Sequence, residues 1–188
     1  MVFKFLSGLP GLKALTADPV RTNTTRAWEQ IIDHSRLPEF YSELGVPDTV
    51  EGRYDLLTLH MVLVLRRLAD EPDTTGKFGQ TLFNIMFRNM DFAMRELGVG
   101  DLKVGKKVRE LAEMFYGRAK AYETPLHEQD VPALTAKLSR NVWGVAEAPQ
   151  AHALADFALR AQAHLAKQTV QSLMLGEVRF PDPIEEPK

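Results

Sequence analysis

Spacing of four residues places His152 with Asp156, and Glu123 with His127, on common faces if each segment is helical. Two ligands on one helix can begin a metal site, but neither pair has the third and fourth ligands that a closed site requires. Their ordinary reading is solvated, locally hydrogen-bonded surface. His60 differs, because it lies between Leu59 and Met61 in the most apolar stretch of the chain. A histidine there is expected to be a hydrogen-bonded core residue rather than a base or a ligand. The chain has no cysteine, which removes disulfides, thiolate nucleophiles and zinc–thiolate sites. It also carries no Gly-rich phosphate loop, no Gly-x-Ser-x-Gly elbow and no His-Glu-x-x-His pair. These patterns point away from an enzyme, and no cofactor is expected.

A second kind of chemistry is recognition of apolar surface. Placed at 100° intervals, the residues from Phe78 to Leu97 confine Gln80, Asn84, Arg88, Asp91 and Arg95 to a narrow polar strip. On one side lie Phe78, Leu82, Ile85 and Phe92. On the other lie Phe83, Phe87, Met90 and Met94. Such an arc is wider than one neighbouring helix covers. It is either a core helix packed on two sides, or the border of a groove in which thioethers and rings adapt to an apolar client. Asn89 and Glu96 fall within the arc, so an interior partner is expected for each, Arg53 or Arg118 being the natural one for Glu96.

The elements that position these residues follow from periodicity. No segment alternates with period two over a strand's length, whereas several carry apolar residues at three- and four-residue spacing. The reading is all-α, a single compact multi-helix domain of about six to seven helices. A first helix is expected from Asn23 to Thr25 onward, carrying Trp28, Ile31 and Ile32, and a short one from Pro38 to Gly45. Asp48-Thr49-Val50-Glu51 has the form of a capping box, with Asp48 as the cap of a long central helix through Tyr54, Leu57, Met61, Val64 and Leu68. Residues 71–76 read as a loop, followed by the Phe78–Leu97 helix with Gly98 as its stop. An amphipathic helix is expected from Val104 to Thr124, a shorter one from Asp130 to Gly144, and an Ala-rich one from Pro149 to Leu175. Residues 1–21 form an N-terminal apolar segment, 22–176 the helical domain and 177–188 an irregular tail.

The formal net charge of −2 gives no global reason to expect DNA binding. Locally, Lys103, Lys106, Lys107 and Arg109 make a basic cluster suited to anionic lipid or RNA. The opening segment is too short and too interrupted by Gly8, Pro10 and Gly11 to span a bilayer. Phe3 and Phe5 could still rest on a membrane surface, with Lys106 and Lys107 as further anionic-surface contacts.

Several blocks recur in one order between Trp28 and Gly144. They include Pro38-Glu39-Phe40-Tyr41, Leu44-Gly45-Val46-Pro47-Asp48-Thr49, Gly52-Arg53-Tyr54, Leu59-His60 and Arg66-Arg67-Leu68. Leu82-Phe83, Phe87-Arg88-Asn89-Met90-Asp91, Arg95-Glu96-Leu97-Gly98-Val99-Gly100-Asp101, Phe115-Tyr116-Gly117-Arg118 and Arg140-Asn141-Val142 complete the set. With these blocks the chain resembles the ubiquinol–cytochrome c chaperone family. Two positions depart from that family's pattern, Asn89 where an Asp is usual and Gly105 where a Pro is usual.

The resemblance implies a helical, non-catalytic assembly factor without a cofactor, which binds newly made cytochrome b during biogenesis of respiratory complex III. It implies as partners cytochrome b, the ribosome and a small partner protein, and a place on the cytoplasmic side of an inner membrane, or on the matrix face of a mitochondrion. On this reading the client-contact residues are Phe83, Phe87, Met90 and Met94, with Arg53, Tyr116 and Arg118 beside them. Gly117 is expected to permit close helix approach. The rival expectation is a peripheral membrane or lipid-binding module.

Overall fold

The computed structural model describes residues 19–184, so Phe3 and Phe5 lie outside the described residues. The described part is helical, with no strand. Its elements are α1 (Pro19–Ser35), α2 (Glu39–Ser42), α3 (Val50–Ala69), α4 (Pro72–Glu96), α5 (Asp101–Glu128), α6 (Val131–Val142), α7 (Ala151–Ala166) and α8 (Val170–Met174).

Helix α3 is the axis, and α1, α4, α5, α6 and α7 all pack against it. Its sequence explains this position, because Leu56, Leu57, Leu59, Met61, Val62, Leu63 and Val64 leave no polar face in the middle turns, and all are buried. The core continues through Ile31 and Phe40, Phe78 and Leu82, Tyr122 and Leu126, Leu134 and Leu138, and Leu154 and Phe157.

Local chemistry sets the ends of the elements, and several differ from the sequence reading. The α3 cap is Thr49 rather than Asp48: the Thr49 hydroxyl accepts from the Gly52 N–H at 3.1 Å. Asp48 is drawn instead to Arg53, 2.5 Å away. The expected 71–76 loop is the first turn of α4, for which Pro72 is preorganised. The Thr75 hydroxyl there donates to the Leu68 carbonyl at 2.5 Å and tightens the α3–α4 corner. The first helix already runs at Pro19, and Thr24 and Thr25 donate to the carbonyls of Val20 and Arg21 instead of capping. Helix α5 passes through Pro125 to Glu128 and stops where Gln129 adopts φ 54°. The single C-terminal helix expected to reach Leu175 is two, divided at Thr169, whose hydroxyl caps α8 by accepting from the Ser172 N–H at 3.2 Å.

One glycine is required by its surroundings and another by its backbone conformation. A Cβ on Gly52 would meet the Pro47 carbonyl oxygen at 2.0 Å, so the chain entering α3 folds back on its first turn only because residue 52 has no side chain. Gly98, at φ +81°, closes α4: its N–H bonds the Arg95 carbonyl at 3.0 Å, and the Val99 N–H reaches the Met94 carbonyl at 3.0 Å. That reversal sends α5 back along α4. Gly117 does not have the role expected of it, since no neighbouring helix comes within 4 Å of where its Cβ would stand.

Candidate functional site

The wide arc of α4 meets two different environments. Its earlier turns are covered by α5. The Phe83 ring lies 4.7 Å from Phe87, 5.4 Å from Phe115 and 5.6 Å from Tyr116, centroid to centroid, in tilted and edge-on contacts. Phe83 and Phe87 are half-buried in this cluster, while Tyr116 is 61% exposed at its rim. Tyr116 and Phe115 also border a hollow of about 570 Å³ with Val62, Leu65 and Ala119.

Past Phe87 the cover ends. Met90 and Met94 border a hollow of about 240 Å³, floored by Tyr54 and Leu57 of α3 and flanked by Arg53, Tyr41 and the end of α1. A second hollow of about 330 Å³ adjoins it, sharing Val50, Tyr54, Met94, Leu97 and Leu111, and reaching Asp55, Met114 and Arg118. Together they make one groove among the ends of α3, α4 and α5. Val50 and Leu97 stand at its mouth 71% and 73% exposed, an arrangement that leaves large apolar side chains in water.

The polar groups of the groove are held from below. Arg118 Nη2 meets Asp55 Oδ1 at 2.5 Å, and both side chains are largely buried. Burial pushes the Asp55 carboxyl up to about 7 against the opposing pull of Arg118. The Arg118 guanidinium also lies 5.7 Å over the Tyr54 ring, whose hydroxyl donates to the Leu111 carbonyl at 2.6 Å. At the other end the Arg53 guanidinium lies 5.1 Å over the Tyr41 ring. The floor is thus pinned by hydrogen bonds and ion pairs, while the rim combines the apolar Val50, Met94 and Leu97 with the exposed charged side chains of Glu51, Lys107 and Glu110.

The seven residues singled out as client contacts therefore divide. Met90, Met94, Arg53 and Arg118 line the groove, whereas Phe83, Phe87 and Tyr116 form the aromatic cluster between α4 and α5. The interior partner expected for Glu96 is absent, because Glu96 lies on an exposed face of the last turn of α4; Arg53 and Arg118 pair with Asp48 and Asp55 instead. Asn89 donates to the Ile85 carbonyl at 2.8 Å within its own helix. Sequence reasoning missed Asp55, Val50, Leu97 and Met114. Asp55 had a signal, a carboxylate set among the apolar residues of α3.

Lys106 and Lys107 are exposed on the first turns of α5, close after the fully exposed Leu102. Lys106 pairs loosely with Glu110 at 3.8 Å. His152 Nε2 and Asp156 Oδ2 lie 3.3 Å apart on an exposed face of α7. Among the described residues no group of three or more His, Cys, Asp or Glu is arranged to hold a metal ion. No described helix is long and apolar enough to cross a membrane.

The sequence profile of a family described as "Ubiquinol-cytochrome C chaperone" matches residues 42–180. The crystal structure of the Cbp3 homolog from Brucella abortus is similar to this chain, with 32% sequence identity and a TM-score of 0.81, covering 97% of this chain and 98% of the other. Comparison with curated proteins finds no match.

Proposed function

The chain belongs to the ubiquinol–cytochrome c chaperone family, and from that premise we propose that it binds newly made cytochrome b, without catalysis, during assembly of respiratory complex III. Membership implies a client protein. The observation that carries the finer reading is the groove: its residues lie within the matched segment apart from the end of α1 and Tyr41, and its rim holds apolar side chains in water above a pinned floor. A segment of a membrane protein awaiting assembly presents the complementary surface, an apolar helix face, and thioethers accommodate its varied side chains.

In this proposal Met90, Met94 and Leu97 contact the client, Arg53 and Arg118 border it, and Phe83, Phe87 and Tyr116 stiffen the α4–α5 wall. A photo-crosslinking side chain at position 94 is expected to capture cytochrome b in cells assembling the complex. Capture only of unrelated abundant proteins, with cytochrome b never recovered, would count against the groove as the client site. The proposed location is the cytoplasmic face of an inner membrane, or the matrix face if the source is eukaryotic, with the ribosome and a small partner protein as further contacts.

A second reading rests on Leu102, fully exposed at the α4–α5 turn with Lys103, Lys106 and Lys107 close by in sequence. Apolar and basic side chains together suit an anionic bilayer. Flotation with anionic liposomes that is lost on Leu102→Asp would support this reading, and no flotation of the wild type would remove it.

A further inference from the structure

Outside the groove, α1, α3 and the C-terminal residues bring two histidines together in an aromatic nest. His60 is fully buried, and its Nδ1 lies 2.8 Å from the Leu56 carbonyl oxygen. Its Nε2 lies 3.0 Å from Nδ1 of His34, and Nε2 of His34 lies 3.1 Å from the carbonyl oxygen of Pro181. The rings of Phe40, Phe157 and Phe180 surround the pair, with Phe180 at 4.8 Å from His34 and 4.9 Å from His60. Residues 177–184 thus form a strap lying across the core. Its other ties are the Val178 N–H to Gln30 Oε1 at 2.6 Å, the Arg179 N–H to Gln168 Oε1 at 3.1 Å, and Arg160 to the carbonyls of Asp182 and Pro183.

Counting protons makes this arrangement informative. A carbonyl oxygen only accepts, so both outer contacts require an N–H, one on His60 Nδ1 and one on His34 Nε2. The central contact between two ring nitrogens requires a third. Two neutral imidazoles hold two. Without the third proton, either two lone pairs face each other at the centre, or His34 turns its N–H to His60 and presents a lone pair to Pro181.

We infer that closing the C-terminal strap onto the core takes up one proton, carried by His34, so that His34 and His60 act as an acid-tightened latch. With the strap lifted, the neutral pair satisfies both remaining contacts. With it closed, a proton from solvent on the vacant His34 nitrogen completes all three. His34 rather than His60 carries the charge because it is only half-buried. The carboxylates of Glu39 on α2 and Asp182 on the strap face it and favour the charge, while Arg160 on α7 sits over the Phe157 ring and holds the strap's carbonyls. Burial lowers His34 below the ordinary histidine range, and Phe40 and Phe157 stay against it when the strap lifts. The Pro181 carbonyl and the Asp182 carboxylate, both on the strap, raise it only when the strap is closed. The closed value therefore exceeds the open one, which is the condition for closure to bind a proton.

Hydrogen exchange of the full-length wild type reads the latch directly, since the Val178 and Arg179 amides are protected only while the strap is closed. Corrected for intrinsic exchange chemistry, their protection is expected to rise several-fold as pH falls from 7 to 5, by no more than about tenfold per unit for one linked proton. Ring-nitrogen NMR should show His60 keeping its Nδ1–H throughout while His34 gains a second N–H. In His34→Gln, which donates to Pro181 at any pH, the slope should vanish. Flat or falling protection of these amides in the folded wild type overturns the inference, whatever His34 does, so the result does not depend on the variant folding.

Discussion

Individual side chains carry opposed pH dependences that whole-molecule measurements would blur. Asp55 has a folded value near 7 against an ordinary 3.8, so the unfolded chain gives up its proton first, and the stability this residue contributes declines as pH rises from about 4 to 7. The elevation is worth roughly 4 kcal/mol. Unfolding free energies of Asp55→Asn and wild type, measured by urea titration, should therefore diverge in favour of the variant by up to about that amount between pH 4 and pH 7, whatever their offset at pH 4. His60 works the other way: burial lowers it to about 3, so its contribution is intact above 6.5 and is lost as pH falls toward 3. Glycines give a second contrast. Gly52→Ala drives a Cβ into the Pro47 carbonyl oxygen and should cost at least about 2 kcal/mol, while Gly117→Ala meets open space within a helix and should stabilise by about 0.5–1 kcal/mol. Thermal denaturation of the two variants tests both signs.

Elements were legible in the sequence where one local signal dominated. The predominantly apolar middle of α3 announced a buried axis, Gly98 a stop, and Asp130 a cap, which accepts from the Ala133 N–H at 2.9 Å. Boundaries failed where two signals competed: Asp48 and Thr49 are both capping residues, and only the folded position of Arg53 decides between them. Thr49→Ala should accordingly cost about 1 kcal/mol, and Asp48→Ala, which breaks an exposed pair, less than half of that. Pro72 misled in the same way, since proline marks a helix start or a break and tertiary packing chooses. The arc of α4 was visible from spacing, but its division was not. That α5 covers Phe83 and Phe87 yet leaves Met90 and Met94 beside a hollow depends on where the helices diverge, which no local pattern encodes. The strap was equally hidden, because its anchors His34 and Gln30 lie 147 and 148 residues in sequence from Pro181 and Val178, which they hold.

At the scale of the whole molecule, one helix buried on every side supports a groove whose floor is fixed and whose rim is soft. That division suits a protein that must receive an apolar client without collapsing around it, since a rigid floor keeps the groove open while the rim adapts. Polar substitution at the rim is expected to separate the two properties. Met94→Ser should change stability by about 1 kcal/mol or less while weakening client capture, whereas Phe87→Ser, inside the α4–α5 cluster, should cost 2 kcal/mol or more, roughly the penalty for truncating a partly buried ring. The most direct test is recovery of the tagged protein from membranes of its own source in mild detergent, with identification of the chains that come with it. Cytochrome b accompanied by few mature complex III subunits is the expected result, reduced in Met94→Ser. Recovery of the fully assembled complex, or of lipid without cytochrome b, would contradict the assignment of this groove to newly made cytochrome b.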